Sequence, residues 1–500
     1  MSDFILAIDQ GTTGSTILVF DRDGQICGRS YSEFPQIYPK PGWVEHDAVR
    51  IWEDVQKGMA AAIGDAGATP TQIAAIGITN QRETVVLWDK ATGKPVFNAI
   101  VWQDRRTADY CGELKQAGHE SMVQQRTGLL LDPYFAGTKL RWLLQQDESV
   151  MARAKRGELL AGTIDSWLIW NLTGGERHVT DYTNASRTLL YNIRELTWDD
   201  ELLELFDILG EVLPQVVPSS APVGVTAPTL LDGHQVPISG IAGDQQSALF
   251  GQACFQPGQV KNTYGTGSFL LMHTGTEAPV SKERLLTTIA WRIGDEPVEY
   301  ALEGSVFVSG SAVQWLRDGL GIIQEAAETQ PLAESLVSND GVYFVPALTG
   351  LGAPYWDPYA RGTIVGLTRG TTRAHFARAA LEAICYQSRD VVDAMSRDAG
   401  VPLAELRADG GAVANSFLMQ FQADTLGVPV RIPKITETTA LGAAYLAGLG
   451  VGFWESREQI QQQWLQQSEY KPAIAEAERD SLYQGWQAAV ERSRDWTNQL

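Results

Sequence analysis

Two short stretches half a chain apart limit most what this polypeptide can fold into. Asp9-Gln10-Gly11-Thr12-Thr13-Gly14-Ser15 lies between the apolar runs Phe4 to Ile8 and Ile17 to Phe20. Gly265-Thr266-Gly267-Ser268 lies between Val260 to Tyr264 and Phe269 to His273. Both sets of flanking runs are short and β-rich, so each stretch predicts strand, tight hydroxyl-rich loop, strand. A unit repeated at that separation implies two related domains facing one cleft, each contributing a phosphate-holding hairpin. Glycines let the backbone turn closely, and the turn amides form a nest for an anion. Asp9 by itself would repel a phosphate; it makes sense with a divalent cation such as Mg²⁺ between the two. An ordinary hairpin with a polar tip is the competing reading of the first stretch taken alone.

Five hundred residues exceed one compact core, which agrees with two large domains. The net charge of −21 argues against a nucleic-acid binder and against docking on an anionic membrane. Cys27, Cys111, Cys254 and Cys385 are far apart and form no CxxC, the pattern of reduced thiols in a cytoplasmic protein. The chain opens on a strand, so no signal peptide is expected, and no apolar run is long enough to insert in a membrane.

Several apolar strands deliver polar clusters at their ends, where α/β proteins place their sites. Ile73 to Thr79 delivers Asn80-Gln81-Arg82-Glu83, and a short strand Ala99 to Trp102 delivers Gln103-Asp104-Arg105-Arg106. Val236 to Ile241 feeds Ala242-Gly243-Asp244-Gln245-Gln246, which sets a carboxylate beside the helix that follows. Leu406 to Ala408 runs into Asp409-Gly410-Gly411 and on to Asn415, a turn open to a flat ligand. For Arg82-Glu83 a solvated ion pair, and for Trp102 core packing, are equally weighted readings. Asp132-Pro133-Tyr134 predicts a turn presenting an aromatic, and Asp181 to Arg187 reads as a polar loop. Helices are expected over Ile51 to Ile63, His375 to Met395 and Thr439 to Leu449, the last made of small residues suited to close packing. Absent motifs exclude other chemistries: there is no GxxxxGK[ST], no GxGxxG after the first strand, no protein-kinase set, no HExxH and no convincing GxSxG.

Taken together, Asp9 to Ser15, Gly243-Asp244, Gly265 to Gly267 and Asp409 to Ala412 resemble the phosphate and adenosine motifs of the sugar kinase, Hsp70 and actin superfamily. Within it the chain resembles the FGGY carbohydrate kinases, and among these the members that phosphorylate glycerol. Ile37 to Asp47, Gly77 to Thr84, Gly240 to Gln246, Asn262 to Gly267 and Gly352 to Pro358 carry the likeness over nearly the full length. The resemblance implies an α/β fold of two RNase H-like (actin-like ATPase) domains, with mixed sheets flanking a central cleft. Residues 1–250 would bind glycerol and phosphate, and residues 251–500 the nucleotide. It implies ATP as co-substrate with Mg²⁺, and glycerol hydroxyls held by Arg82, Glu83, Tyr134 and Asp244. Gln245 would lie beside them, with Trp102 and Phe269 flanking the carbon skeleton. Thr12, Thr13, Gly14, Thr266, Gly310, Gln314, Gly411 and Asn415 fall on nucleotide positions. Asp244 would be the general base, with Asp9 and Asp244 near the metal, Asp9 through water. A cytoplasmic homo-oligomer, dimer or tetramer, with no nucleic-acid partner, is the implied state.

Two departures stand out. Relatives often carry Ser-Ser-Arg where this chain has Gly14-Ser15-Thr16, so neutral hydroxyls take the place of an arginine near the phosphates. Some bacterial relatives use an arginine in the loop before Pro237 to bind a sugar bisphosphate inhibitor; here that loop is Asp232-Gly233-His234-Gln235. A kinase for another polyol or a pentulose is the alternative within the family. A binding module of the Hsp70 or actin type is the alternative outside it, and would need a peptide-binding domain or a polymerising surface.

Overall fold

The computed structural model describes residues 3–498. The first lobe is built on β1 (Phe4–Gln10), β2 (Gly14–Phe20), β3 (Ile26–Glu33), β4 (Ile73–Asn80), β5 (Ser220–Val225) and β6 (Pro237–Gly243), in spatial order β5-β6-β4-β1-β2-β3. β1, β2 and β3 run as an antiparallel meander, while β4 and β6 join β1 in parallel. The second lobe repeats this plan with β7 (Gln259–Tyr264), β8 (Ser268–Gly275), β9 (Leu286–Trp291), β10 (Glu299–Val306), β11 (Glu405–Gly410), β12 (Val430–Pro433) and β13 (Gln466–Tyr470). Its order is β9-β10-β8-β7-β11-β12-β13, with β7, β8 and β10 antiparallel and β11 and β12 parallel to β7. The predicted repeat is therefore topological: the two hairpins found by their Gly/Thr loops occupy corresponding places in two equivalent mixed sheets.

Among the helices, those that frame the two sheets and the site are α1 (Ala48–Asp65), α2 (Asp244–Gly251), α3 (Gly310–Gln314), α4 (Arg373–Ala399), α5 (Ser416–Leu426), α6 (Thr438–Gly450) and α7 (Glu476–Ser493). Helix α1 buries Ile51, Val55, Met59 and Ile63 on one sheet face, at the helical spacing seen in sequence. Helix α6 lies in sequence between β12 and β13 of the second sheet yet packs on the first. A Cβ added at Gly77 would lie 2.1 Å from Ala443 O, and one at Gly240 2.4 Å from Ala447 N. On the other side of α6, Gly442 abuts Ser247 of α2 so closely that a Cβ would fall 1.8 Å from its carbonyl oxygen. No larger residue fits between these backbones. Ile5, Ala7 and Phe20 of the first sheet, Leu271 and Ala301 of the second, and Ala440, Leu441 and Ala444 of α6 form one core that joins the lobes.

Two local expectations are corrected. The Ala99 strand ends at Ile100, so Trp102 lies in a turn. Asp181 to Arg187 is no solvated loop. Asp181 caps a helical turn, Tyr182–Ala185, by accepting from the amides of Thr183 and Asn184, and the whole segment is buried. The Thr183 hydroxyl and the Asn184 amide donate to the Asp181 carboxylate, Asn184 also donates to Asn80, and Thr183 accepts from the Gly243 amide (2.8 Å). A polar segment with all but one of its buried side-chain groups, Arg187 Nη1, paired survives burial, and in sequence it has the same lack of apolar period as a loop.

Candidate active site

Strand periodicity selects which residues face the cleft. Along the first sheet Asp9 stands opposite Thr16 and Thr79, and shares a face with Ala7 and Gly77, the face covered by α6. Along the second, Lys261 and Thr263 of β7 pair with Leu271 and Phe269 of β8, which pair with Glu303 and Ser305 of β10. Thr263 also stands opposite Asp409 of β11. Residues directly opposite share a face and alternate with period two, so Lys261, Thr263, Phe269, Glu303 and Asp409 line a single face.

Burial and neighbouring charge shape the first hairpin. Asp9 is pushed up to about 8 by burial, then by the nearby carboxylates of Asp244 and Glu437. The hydroxyls of Ser15 and Thr79 are buried without partners. The loop closes through the Gly11 amide on Gly14 O (2.9 Å), while the Trp102 indole donates to Thr12 Oγ1 (2.9 Å). Thr13 is exposed at the tip. Gly14 has a steric reason: a Cβ there would meet Ser32 O at 2.6 Å and the Tyr31 ring at 2.9 Å. The departure at positions 14–16 thus goes with an aromatic ring crossing the hairpin.

The second hairpin closes in the same way, Gly265 N on Gly267 O (2.8 Å). It is bolted to the start of α3: Gly310 N donates to Gly265 O (3.0 Å), and Ser309 N and Ser311 N to Thr266 O (3.0 and 3.1 Å). Gly310 is required there, because a Cβ would lie 2.6 Å from Gly265 O. Gln314, one turn on, is exposed. Gly410, at φ 90°, crosses Tyr264 so tightly that a Cβ would fall 2.2 Å from its oxygen, leaving Gly411 exposed beside the hairpin. Asn415 caps α5, its Oδ1 accepting from Leu418 N (3.0 Å), and its Nδ2 reaches Thr329 Oγ1 (3.3 Å). The residues expected at the nucleotide in the second lobe are therefore gathered around one pair of loops.

Arg82 and Glu83 are buried, which removes the solvated-pair reading. Glu83 sits at φ 61°, and Thr84 N bonds back to Arg82 O (2.8 Å). A left-handed glutamate costs on the order of 1–3 kcal/mol and persists only where its surroundings dictate it. The Arg82 stem lies over Gly243, where a Cβ would be 2.7 Å from its Cγ and Cδ, so the Gly-Asp turn is glycine for contact with arginine. Arg82 Nε is 3.2 Å from Asp244 Oδ1, and its fork grips both oxygens of Glu303, at 2.5 and 3.0 Å. Arg187 joins them, Nε to Glu83 (2.7 Å) and Nη2 to Glu303 (3.0 Å). Burial works to raise the Glu303 carboxyl, but Arg187 and Arg82 outweigh it and hold it down at about 2.

Asp244 is the first residue of α2 and 31 % of its side chain is exposed, so it is the open carboxylate of this cluster. Its neighbour Gln245 accepts from the Lys261 ammonium, which also donates to Thr263 Oγ1 (3.0 Å). Burial pulls Lys261 down to about 8, against the opposing pull of Asp409, Asp244 and Glu303. Tyr134 meets Trp102 edge-on, ring centroids 5.6 Å apart. Its loop is pinned by Lys139, whose buried Nζ donates to Pro133 O, Tyr134 O and Phe135 O at 2.9, 2.6 and 2.8 Å. Phe269, partly buried, shares the sheet face of Glu303. Glu303, Arg187, Lys261 and Lys139 were not anticipated. Only Arg187 had a signal in sequence, the polar run that ends on it.

Two equivalent mixed sheets, each with its glycine-rich hairpin, and an open carboxylate at a helix start define a two-lobed α/β protein with the actin-like ATPase architecture. Residues 4–251 match the N-terminal domain, and residues 260–451 the C-terminal domain, of the FGGY family of carbohydrate kinases. The chain belongs to that family. It is 59% identical over 493 residues to a protein of Thermotoga maritima named glycerol kinase 2, covering 99% of both chains. It is 60% identical over 487 residues to a glycerol kinase of Stenotrophomonas maltophilia, covering 97% of each. The crystal structure of Plasmodium falciparum glycerol kinase with ADP superposes with a TM-score of 0.94 at 38% identity, covering 98% of both.

Proposed function

We propose that this chain transfers the γ-phosphoryl group of ATP to glycerol, giving sn-glycerol 3-phosphate and ADP. The observation that carries the reading is the cluster of buried Arg82 and Glu83 with the partly exposed Asp244, in a chain so close over its whole length to proteins named for this activity. Glycerol offers three hydroxyls and almost no apolar surface, so a site for it must supply several donors and acceptors in a small space. A site built that way rejects analogues lacking a hydroxyl, because buried polar groups are then left unpaired. Arg82 supplies donors, Glu83 and Asp244 acceptors, Tyr134 a hydroxyl and Gln245 an amide. Trp102 and Phe269 are the walls for the carbon chain.

Phosphoryl transfer needs positioning and charge neutralisation more than covalent chemistry. Asp244 accepts the proton of the attacking hydroxyl, and its exposed side chain at the start of α2 leaves an oxygen open to do so. Thr12, Thr13 and Gly14 of the first hairpin and Thr266 of the second hold the phosphates; Gly310, Gln314, Gly411 and Asn415 line the nucleoside side. Among the described residues no group of three His, Cys, Asp or Glu side chains forms a metal cage. Mg²⁺ is ordinarily bound by one or two carboxylates with substrate phosphates. The donor set fits that habit: Asp9, raised by burial and then by the carboxylates of Asp244 and Glu437, lacks a countercharge that a cation would supply. Asp9, through water, and Asp244 would hold Mg²⁺ brought in with ATP, which would supply neutralisation of phosphate charge. The lobes divide the work as residues 1–250 for glycerol and phosphate and 251–500 for nucleotide. Among the described residues no helix is long and apolar enough to cross a membrane, and a cytoplasmic homo-oligomer is the setting we propose.

An ADP-release assay across glycerol, dihydroxyacetone, xylulose and no acceptor tests the reading. Turnover fastest with glycerol and negligible without acceptor supports it. Preference for xylulose would move the chain to a pentulose kinase, and acceptor-independent turnover would point to an ATPase module.

A further inference from the structure

The polyol side of the site contains a carboxylate that belongs to the opposite lobe. Glu303 lies mid-strand in β10, is 1% exposed, and is separated from Arg82 by 221 residues of chain. Arg82 takes both its oxygens, and Arg187 shares Oε1. Arg82 Nη1 also donates to Gln246 Oε1 at 3.1 Å, so three of the five N–H groups of this guanidinium are hydrogen-bonded, and Nε makes an ion pair with Asp244. Arg187 is fully buried and its Nη1 has no partner at all.

Two guanidinium groups converging on one carboxylate repel each other and stay together only because an anion sits between them. A bidentate arginine–carboxylate fork fixes the guanidinium plane as well as its position. With the Arg82 fork committed to Glu303, Asp244 meets Arg82 only at Nε. Without the Glu303 charge, the nearest carboxylates left to receive the two forks are Asp244 and Glu83. Those are the groups whose oxygens the polyol hydroxyls need. Arg187 Nη1 is buried without a hydrogen-bond partner, while Nε and Nη2 of the same group hold Glu83 and Glu303.

We infer that Glu303 is a positioning residue of the polyol pocket: by occupying the Arg82 fork and one arm of Arg187 from the second lobe, it keeps Asp244 and the second oxygen of Glu83 free for hydroxyl groups. The inference rests on reading the site as that of a polyol kinase. A carboxylate that only latched the lobes together would affect both substrates alike.

The test is Glu303→Gln, which keeps the shape and replaces the anion by an amide. The expected result is a KM for glycerol raised about 10–100-fold, the range for losing a charged buried hydrogen bond, with kcat falling less and KM for ATP holding within about twofold. If Glu303→Gln does not fold, Arg187→Lys carries the same expectation, because it keeps the charge and loses the fork. Equal shifts in both KM values, or an unchanged KM for glycerol with only a lower Tm, would overturn the inference. Wild-type protein without any polyol-dependent ADP release would overturn the functional reading and the inference with it. Wild-type activity with an unshifted variant removes the inference alone. If wild type prefers another polyol, that polyol replaces glycerol in the comparison.

Discussion

Lys139→Met removes a charge the fold has buried for one visible purpose. The ammonium is fully buried and has three acceptors, the carbonyls of Pro133, Tyr134 and Phe135, which are the backbone of the loop that presents Tyr134. Hydrogen bonds to a charged group contribute about 1.5–3 kcal/mol each, so three give roughly 4.5–9 kcal/mol. Desolvating the ammonium costs several kcal/mol in return. Methionine fills the same space without a donor, and the net loss we expect is about 3 kcal/mol. For a cooperative unit of lobe size that is a fall in Tm of roughly 6–12 °C. The loosened loop must also be re-ordered around the polyol, so KM for glycerol rises while KM for ATP holds. The pH dependence has a definite sign. Burial lowers the folded-state pKa of Lys139 from its ordinary 10.5 to about 7, so between those values the unfolded chain binds more protons. Wild-type stability therefore gains with rising pH across that window, by at most about 1.4 kcal/mol per pH unit. The deficit of the Met variant grows from pH 7 upward. Thermal melts of both proteins at pH 6.5 and pH 8.5, with initial rates against glycerol and ATP, measure all three effects. A Tm deficit that is negligible, or that shrinks with pH, together with an unchanged KM for glycerol, would refute the argument.

Asp244→Asn keeps shape and hydrogen-bonding capacity but cannot take the proton, so kcat should fall by about 10²–10⁴ with ATP affinity little changed. Excess Mg²⁺ restoring turnover would make Asp244 a metal ligand and not the base. Arg82→Ala should raise KM for glycerol far more than KM for ATP. It should also lower Tm, because it leaves Glu303 with one partner in place of two, and breaking a buried ion pair costs about 3–5 kcal/mol. Fructose 1,6-bisphosphate should inhibit weakly or not at all, since the turn before Pro237 offers Asp232 and His234 and no arginine; strong inhibition below millimolar effector would contradict this.

Local chemistry alone determined a good deal of this protein. The two hairpins, the strands that deliver Arg82-Glu83 and Gly243-Asp244, the helix of α4 and the small-residue helix of α6 are all legible because period and turn glycines act over a few residues. The tertiary structure decided what those elements meet. That α6 leaves its own sheet to lie on Gly77 and Gly240 is written in no local pattern; small residues announce close packing without naming the partner. Glu303 looks like any polar residue in an apolar strand until the fold sets it between two arginines of the other lobe. Lys261 and Lys139 read as surface lysines in sequence, because the groups that balance a buried ammonium are brought to it only by folding. Charge is long-ranged and strong once water is excluded, so which ionic groups become a site depends on which ones the fold buries together.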